Sequence, residues 1–292
     1  MPEAIQPINA QNMRQRIKSY SSSPGSLILA FLVGLAALIT VLTLVFIIGY
    51  ILVKGIPSLS TDLFQLEYNS ENVSMFPSII NTILMTVLSL VIAGPLGIFA
   101  AIYLVEYAKK GNKLVSIVRV TAETLTGIPS IVYGLFGMLF FVTTLKWGFS
   151  MLAGAFTLAI MVLPVIMRTT EEALLAVPDM YREASFGLGA GRLRTIFVVI
   201  LPSAVPGILS GVILSIGRIV GETAALMYTA GTVAELPSGV MSSVRTLSLH
   251  MYTLASEGLH IDEAYATAVV LLFVVLLINW VSGRIARKIK KG

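Results

Sequence analysis

The sequence predicts an all-α membrane protein with six transmembrane helices, and three observations carry the prediction. First, 56% of its 292 residues are hydrophobic and 12% are charged, with a mean hydropathy of +0.90, whereas soluble domains carry about 25% charged residues. Second, the apolar residues fall into six runs, each near the ~20 residues that cross a bilayer as a helix. Third, lysines and arginines gather at alternate ends of those runs, as orientation determinants do. The net charge of +5 is therefore spread around apolar segments and is no sign of nucleic-acid binding. The chain has no cysteine, which excludes disulfides and thiolate metal sites.

Residues 1–25 are polar, carry Arg14, Arg16 and Lys18, and end in the loop-forming run SSSPGS. They read as a cytoplasmic tail. The first apolar run begins near Leu27 and is too long for the core of a cleavable signal peptide. The six expected spans are 27–53, 77–105, 117–145, 150–168, 203–227 and 264–285. The third carries Glu123 and is interrupted by TGIPS; the fourth is short; the fifth carries Arg218 and Glu222. The loop 228–263 holds both histidines, His250 and His260. Standing ten apart with no partner at ligand spacing, they read as solvent-facing residues and not as a metal site.

Orientation follows from the basic residues. With the N-terminus inside, all lysines and arginines except Lys54, Lys146, Arg245 and the membrane-embedded Arg218 fall on the inner side. The outer loops hold Asp62, Glu67, Glu71, Glu235, Glu257, Asp262 and Glu263 instead. Both termini are then cytoplasmic, and an even number of spans satisfies that.

No catalytic constellation is present: there is no GxxxxGK[ST] loop and no HExxH. Energy for any transport must come from another subunit or from an ion gradient. Arg218 and Glu222 stand four apart, so one helical face carries both. With ~1.5 Å rise per residue, Arg218 lies some ~24 Å along a helix starting at Pro202. A charge at that depth costs roughly 3 kcal/mol on insertion scales. Either the two residues form a structural ion pair that locks two helices, or Arg218 contacts an anion with its planar fork and Glu222 orients it. Arg168 and Glu171, three apart in LPVIMRTTEEAL, offer a similar choice between an orientation anchor and a second anion station or inner gate. The break at Gly127-Ile128-Pro129-Ser130 frees backbone carbonyls. It is either a packing kink or the lining of a cavity, with Thr124, Thr126 and Ser130 as pathway hydroxyls.

The stretch EASFGLGAGRLRTIFVVILP, residues 183–202, resembles the EAA coupling loop of importer-type ABC permeases, with Ser185 where that pattern prefers Ala and Val199 where it prefers Ile. The resemblance implies a short cytoplasmic helix docking into an ATPase subunit. Glu183 and Ala184 then belong to the docking helix, Gly189 makes the turn by accepting positive φ, Arg192 and Arg194 meet acidic surface or serve orientation, and Pro202 opens the fifth span. Four segments, TGIPSIVYGLFG, LPVIMRTTEEALLAVP, YREASFGLGAGRLRTIFVVILP and AVPGILSGVILSIGRIVGETAAL, together resemble the permease subunits of phosphate-specific ABC importers. The GETAAL ending, AIYLVEYA and SLHMY look more like the A-type permease, PstA. The likeness covers about 75–290.

It implies the type I ABC importer permease fold, with a first helix and outer loop over 26–74, a core permease domain over 75–292 and a coupling loop over 171–202. It also implies a second, PstC-type permease, two PstB-type ATPase subunits that bind the ATP and magnesium, a PstS-type binding protein, and residence in a bacterial or archaeal cytoplasmic membrane. This chain then holds no cofactor, and Arg168, Glu171, Arg218 and Glu222 match the charged residues of the phosphate pathway. Rival expectations are a permease for another oxyanion such as sulfate or molybdate, a gradient-driven secondary transporter, and a non-transporting membrane scaffold.

Overall fold

A computed structural model describes residues 24–109 and 111–291, with side chains to residue 284. The expected cytoplasmic tail lies outside the described residues up to residue 23. Two units are distinguished, Met1–Val53 and Lys54–Gly292. The described part of the first is an uninterrupted apolar helix, α1, Pro24–Gly55, whose last two residues, Lys54 and Gly55, belong to the second unit.

The second unit is helical throughout, with no strand among the described residues. Helix α2, Phe76–Ile102, continues as a π-helical turn, Tyr103–Tyr107. Helix α3 is Lys113–Thr126, opened by Asn112, whose side chain accepts from Leu114 N. Helix α4, Ser130–Gly137, runs on as the π segment Met138–Thr144. Helix α5 is Met151–Leu175, capped by Ser150. Helix α6, Asp179–Gly187, forms the elbow. A helical turn α7, Arg192–Arg194, passes through the π segment Thr195–Ile200 into α8, Leu201–Val220. Helices α9, Ala224–Met227, α10, Leu247–Glu257, and α11, Ile261–Lys291, complete the chain.

Helix α5 is the hub. Its Leu158, Met161, Val162 and Ile166 are wholly buried, and small residues let neighbours approach it closely, as in membrane helix packing. A Cβ added at Gly97 of α2 would stand 3.0 Å from Ile166 Cγ2, and one at Gly211 of α8 would overlap the Thr169 hydroxyl.

The expected break in the third span is real. Helices α3 and α4 meet at 103°, where Pro129 contributes no N–H. The Tyr133 hydroxyl donates to the Leu125 carbonyl at 2.7 Å and so satisfies part of the opened backbone. Hydrogen bonds decide whether the bent pair crosses the membrane. Near the start of α2, Asn81 Nδ2 donates to the carbonyls of Glu235 and Arg245. At the start of α5, the N–H groups of Ser150, Met151 and Leu152 donate to the carbonyls of Thr229, Ser242 and Val240. Both helices therefore start at the 229–245 end. At their other ends, Glu106 and Arg182 form an ion pair at 2.8 Å. The chain leaves α2 at one end and enters α5 at the other, so α3 and α4 together make one broken span. With it the apolar helices number six.

Three boundaries differ from expectation. The fourth span runs past 168 to Leu175, because Glu171 is paired with Arg119 and the charges do not stop the helix. The fifth is helical from Arg192 to Val220. It does not open at Pro202, since that residue lies in the first turn after the π segment, where the bonding pattern already shifts and the missing N–H does little harm. The same span stops at Val220 and not at 227, where Gly221 caps it.

Candidate functional site

Arg218 sits in the last turn of α8, half-buried, on the wall of a cavity of about 620 Å3. Val165, Ser210, Leu214, Gly217 and Asn279 share that wall. Val165 is near the middle of α5 and Asn279 is past the middle of α11, so the guanidinium stands at mid-depth although its own helix is about to end. Among the described residues no carboxylate lies within ion-pair distance of Arg218.

The expected Arg218–Glu222 pairing on one helical face is not formed. The helix ends between them. Glu222 is buried; its Oε1 accepts from Ala225 N at 3.1 Å, and its carbonyl accepts from the Ser248 hydroxyl at 2.7 Å. Glu222 thus caps α9 and holds the break, leaving Arg218 without a counter-charge. Non-helical backbone at this depth is tolerated because it is enclosed by protein: a Cβ at Gly134 of α4 would meet Ala225 Cα at 2.9 Å.

A second cluster joins α3 to the lower half of α5 around a cavity of about 300 Å3. Here Arg168 and Glu171 are brought together in space but paired with others. Arg119 meets Glu171 at 2.5 Å, while Arg168 meets Glu172 at 3.1 Å and Glu123 at 3.4 Å. Arg119, Glu123 and Glu172 were not legible as a set, because their partners depend on the angle at which α3 lies along α5. Thr124 and Thr126 bond back to the carbonyls of Val120 and Glu123, and Ser130 is half-buried at the first residue of α4.

In the segment 183–202, α6 ends at Gly187 and the chain turns through Gly189 into α7. Gly189 has φ +81° in open space, so the turn demands its conformational freedom and not its small size. Glu183, Ala184, Arg192, Arg194 and Pro202 are exposed. The side chains of Met180, Phe186, Leu188 and Leu193 also face outward, Leu188 with 89% of its surface exposed. These side chains form an exposed apolar patch on an otherwise polar loop. Behind it, Arg182 fastens the elbow to the core: it donates to Glu106 Oε1 through Nε and Nη2 and to the carbonyls of Leu174 and Val177. Ser185 and Thr195 share a hydroxyl hydrogen bond of 2.8 Å across the turn. That bond is a use for Ser at the position where Ala was expected. Arg192 lies 5.1 Å over the Tyr107 ring.

At the opposite end, the histidines correct an expectation. His250 is not solvent-facing but fully buried in α10. Its Nδ1 stands 3.3 Å from Arg245 Nη1, and its ring packs edge-on to Tyr68. Burial foremost, then the Arg245 charge, push its pKa down to about 4, with the Val73 carbonyl acting weakly the other way. The loop is ordered by a helix because Leu247 and Leu254 fill a core with Leu63, Val73 and Met75. Among the described residues no group of three His, Asp or Glu side chains is placed to hold a metal.

Residues 93–291 match the family model of the binding-protein-dependent transport system inner membrane component. The chain is 34% identical to the probable ABC transporter permease protein YqgI of Bacillus subtilis, over 88% of this chain and 94% of that one. It is 37% identical to the phosphate transport system permease protein PstA of Pasteurella multocida, over 81% and 85%. In fold it resembles a permease chain of a bacterial ABC transporter that imports alginate, with a TM-score of 0.67 at 18% identity, covering 95% of this chain and 99% of that one. An inward-facing MetNI methionine ABC transporter chain gives a TM-score of 0.57 at 22% identity, covering 74% and 94%. The chain therefore belongs to the binding-protein-dependent transport system inner membrane components, among the PstA-type permeases of ABC importers.

Proposed function

We propose that this chain is half of the membrane pathway of an ATP-driven phosphate importer, and that Arg218 carries the anion across its midpoint. The observation that carries the reading is a guanidinium at mid-depth, facing a cavity, with no carboxylate partner among the described residues. An unpaired charge there is costly, and a transient tetrahedral oxyanion matches its planar fork. The relatives named phosphate transport permeases support phosphate over sulfate or molybdate.

The other parts follow from this. A PstC-type permease closes the open side of the cavity, a PstS-type binding protein delivers the anion, and two PstB-type ATPase subunits bind the nucleotide and magnesium. Both termini and the elbow face the cytoplasm. Leu188 and its apolar neighbours, with Glu183 and Ala184, seat in the ATPase, and Gly189 sets the turn. Movement of the elbow passes through Arg182 and Glu106 into α2 and, through Arg192, Thr195 and Pro202, into α8, which bears Arg218. Glu222 keeps α8 ended below the outer surface. The Arg119–Glu171 and Arg168–Glu123–Glu172 pairs form the inner gate: an arriving anion competes with their carboxylates, and Thr126 and Ser130 line its way past the break.

The test is phosphate uptake by proteoliposomes holding the assembled complex, with sulfate and molybdate as parallel substrates. Losing one charged contact worth about 1.5–3 kcal/mol predicts that Arg218→Gln slows uptake by about tenfold or more. Normal uptake by a normally assembled variant would reject the role of Arg218.

A further inference from the structure

On the reading that Arg218 handles phosphate, we infer that Ser210 and Asn279 read the proton that phosphate keeps and sulfate lacks. At neutral pH phosphate carries at least one P–OH group, whereas sulfate is a fully deprotonated dianion. A guanidinium has donors and no acceptor, so Arg218 alone grips both anions. Discrimination requires a hydrogen-bond acceptor aimed at the same anion.

The cavity supplies acceptors of an unusual kind. Among the described residues its polar lining is Arg218, Ser210 and Asn279, with no Asp or Glu. Ser210, Leu214, Gly217 and Arg218 stand at i, i+4, i+7 and i+8 and share one face of α8. Ser210 lies about 12 Å below Arg218 along the axis. Helical side chains lean toward the helix N-terminus, so the long arginine side chain leans toward Ser210. One tetrahedral anion fits between them. The Ser210 hydroxyl donates its hydrogen to the Pro206 carbonyl at 2.9 Å. With its proton committed to the backbone, its oxygen meets the cavity as an acceptor. Asn279 faces the same cavity from α11, and its amide offers one acceptor and two donors.

Neutral acceptors are the useful choice. A carboxylate would accept the P–OH proton but repel the anion that Arg218 attracts. A hydroxyl oxygen and an amide oxygen accept it without that repulsion. Against sulfate the Ser210 oxygen, its hydrogen held by the Pro206 carbonyl, faces an unprotonated oxygen. A site built to bond a hydroxyl rejects the analogue lacking it.

The experiment is equilibrium dialysis of radiolabelled phosphate against the permease–ATPase complex in nanodiscs, without the binding protein, competed by sulfate or monofluorophosphate at neutral pH. Monofluorophosphate keeps the tetrahedral shape and dianionic charge but lacks the acidic proton. The wild-type complex is expected to prefer phosphate over both by at least about tenfold. Ser210→Ala and Asn279→Leu should bring that ratio toward one, and Ser210→Thr, which keeps the hydroxyl, should preserve it. Co-purification of the ATPase certifies assembly, and if Asn279→Leu fails to assemble, Ser210→Ala and Ser210→Thr decide. An unchanged ratio in Ser210→Ala, or no preference in the wild type, overturns the inference while phosphate binding lost in Arg218→Gln leaves the proposed function standing. Wild-type complex that binds no phosphate overturns both.

Discussion

Single residues in this chain are understood by their partners, and the partners repeatedly differ from the sequence neighbours. Arg218 and Glu222 share a helical spacing but not a helix, because Gly221 ends α8 between them. Glu222 then serves α9. His250 shows the same gap between sequence and environment. A histidine in a long polar-looking loop is fully buried, because α10 packs its apolar residues against the segment 63–75. Its depressed pKa has a consequence for stability. The folded protein keeps His250 neutral down to about pH 4, while the unfolded chain protonates it below about 6.5. Between those values the unfolded state binds more protons, so stability falls as pH falls through that window and is fully present above it. The arithmetic gives a loss of about 2 kcal/mol by pH 5. Thermal unfolding of the purified complex at pH 7 and pH 5 should show this drop in the wild type, and His250→Gln should remove that part of the pH dependence. An equal pH dependence in both proteins would refute the buried neutral ring.

Elements were legible wherever composition alone decides them. The apolar runs became helices, and TGIPS broke the third because Pro129 has no N–H to give. Boundaries were less legible. Thr169, Thr170, Glu171 and Glu172 look like the end of a span, yet α5 continues through them because Arg119 from α3 neutralises Glu171, and a long-range partner leaves no local trace. The π segment before Pro202 likewise hides the true start of the fifth span. Helix packing here depends on small residues at defined points, which gives a sharp contrast within α8. A Cβ at Gly211 would overlap the Thr169 hydroxyl, whereas one at Gly217 meets nothing within 4 Å. Overpacking a tight contact costs about 1–3 kcal/mol. Gly211→Ala should therefore lower the melting temperature of the complex and its yield, while Gly217→Ala should leave both unchanged or slightly raised. Equal melting temperatures would show that α5 and α8 are not held as closely as described.

The whole molecule combines a broken span, a charged midpoint and an exposed elbow in one topology, and that topology has a side. Basic residues cluster toward the elbow end: Lys109, Lys113, Arg119, Arg182, Arg192 and Arg194 all lie there, while the opposite end offers Lys54, Lys146 and Arg245, the last buried with His250. By the distribution of positive charge we propose that the elbow end faces the cytoplasm. The sequence conveyed the spans well, since apolar length is written residue by residue. It conveyed the cavity poorly, since Asn279 joins Ser210 and Arg218 only when α8 and α11 pack. The complete lack of cysteine makes orientation directly measurable with single introduced thiols. Leu188→Cys and Leu236→Cys both occupy exposed positions, at opposite ends of the chain's spans. In intact spheroplasts a membrane-impermeant maleimide should label Leu236→Cys and spare Leu188→Cys. Permeabilised membranes should expose Leu188→Cys as well, and co-expression of the ATPase subunit should shield it again if the proposed coupling role seats this exposed leucine in the ATPase. Labelling of Leu188→Cys in intact spheroplasts would invert the topology. Labelling that is indifferent to the ATPase would detach the elbow from the coupling role and leave the movement of α8 without a drive.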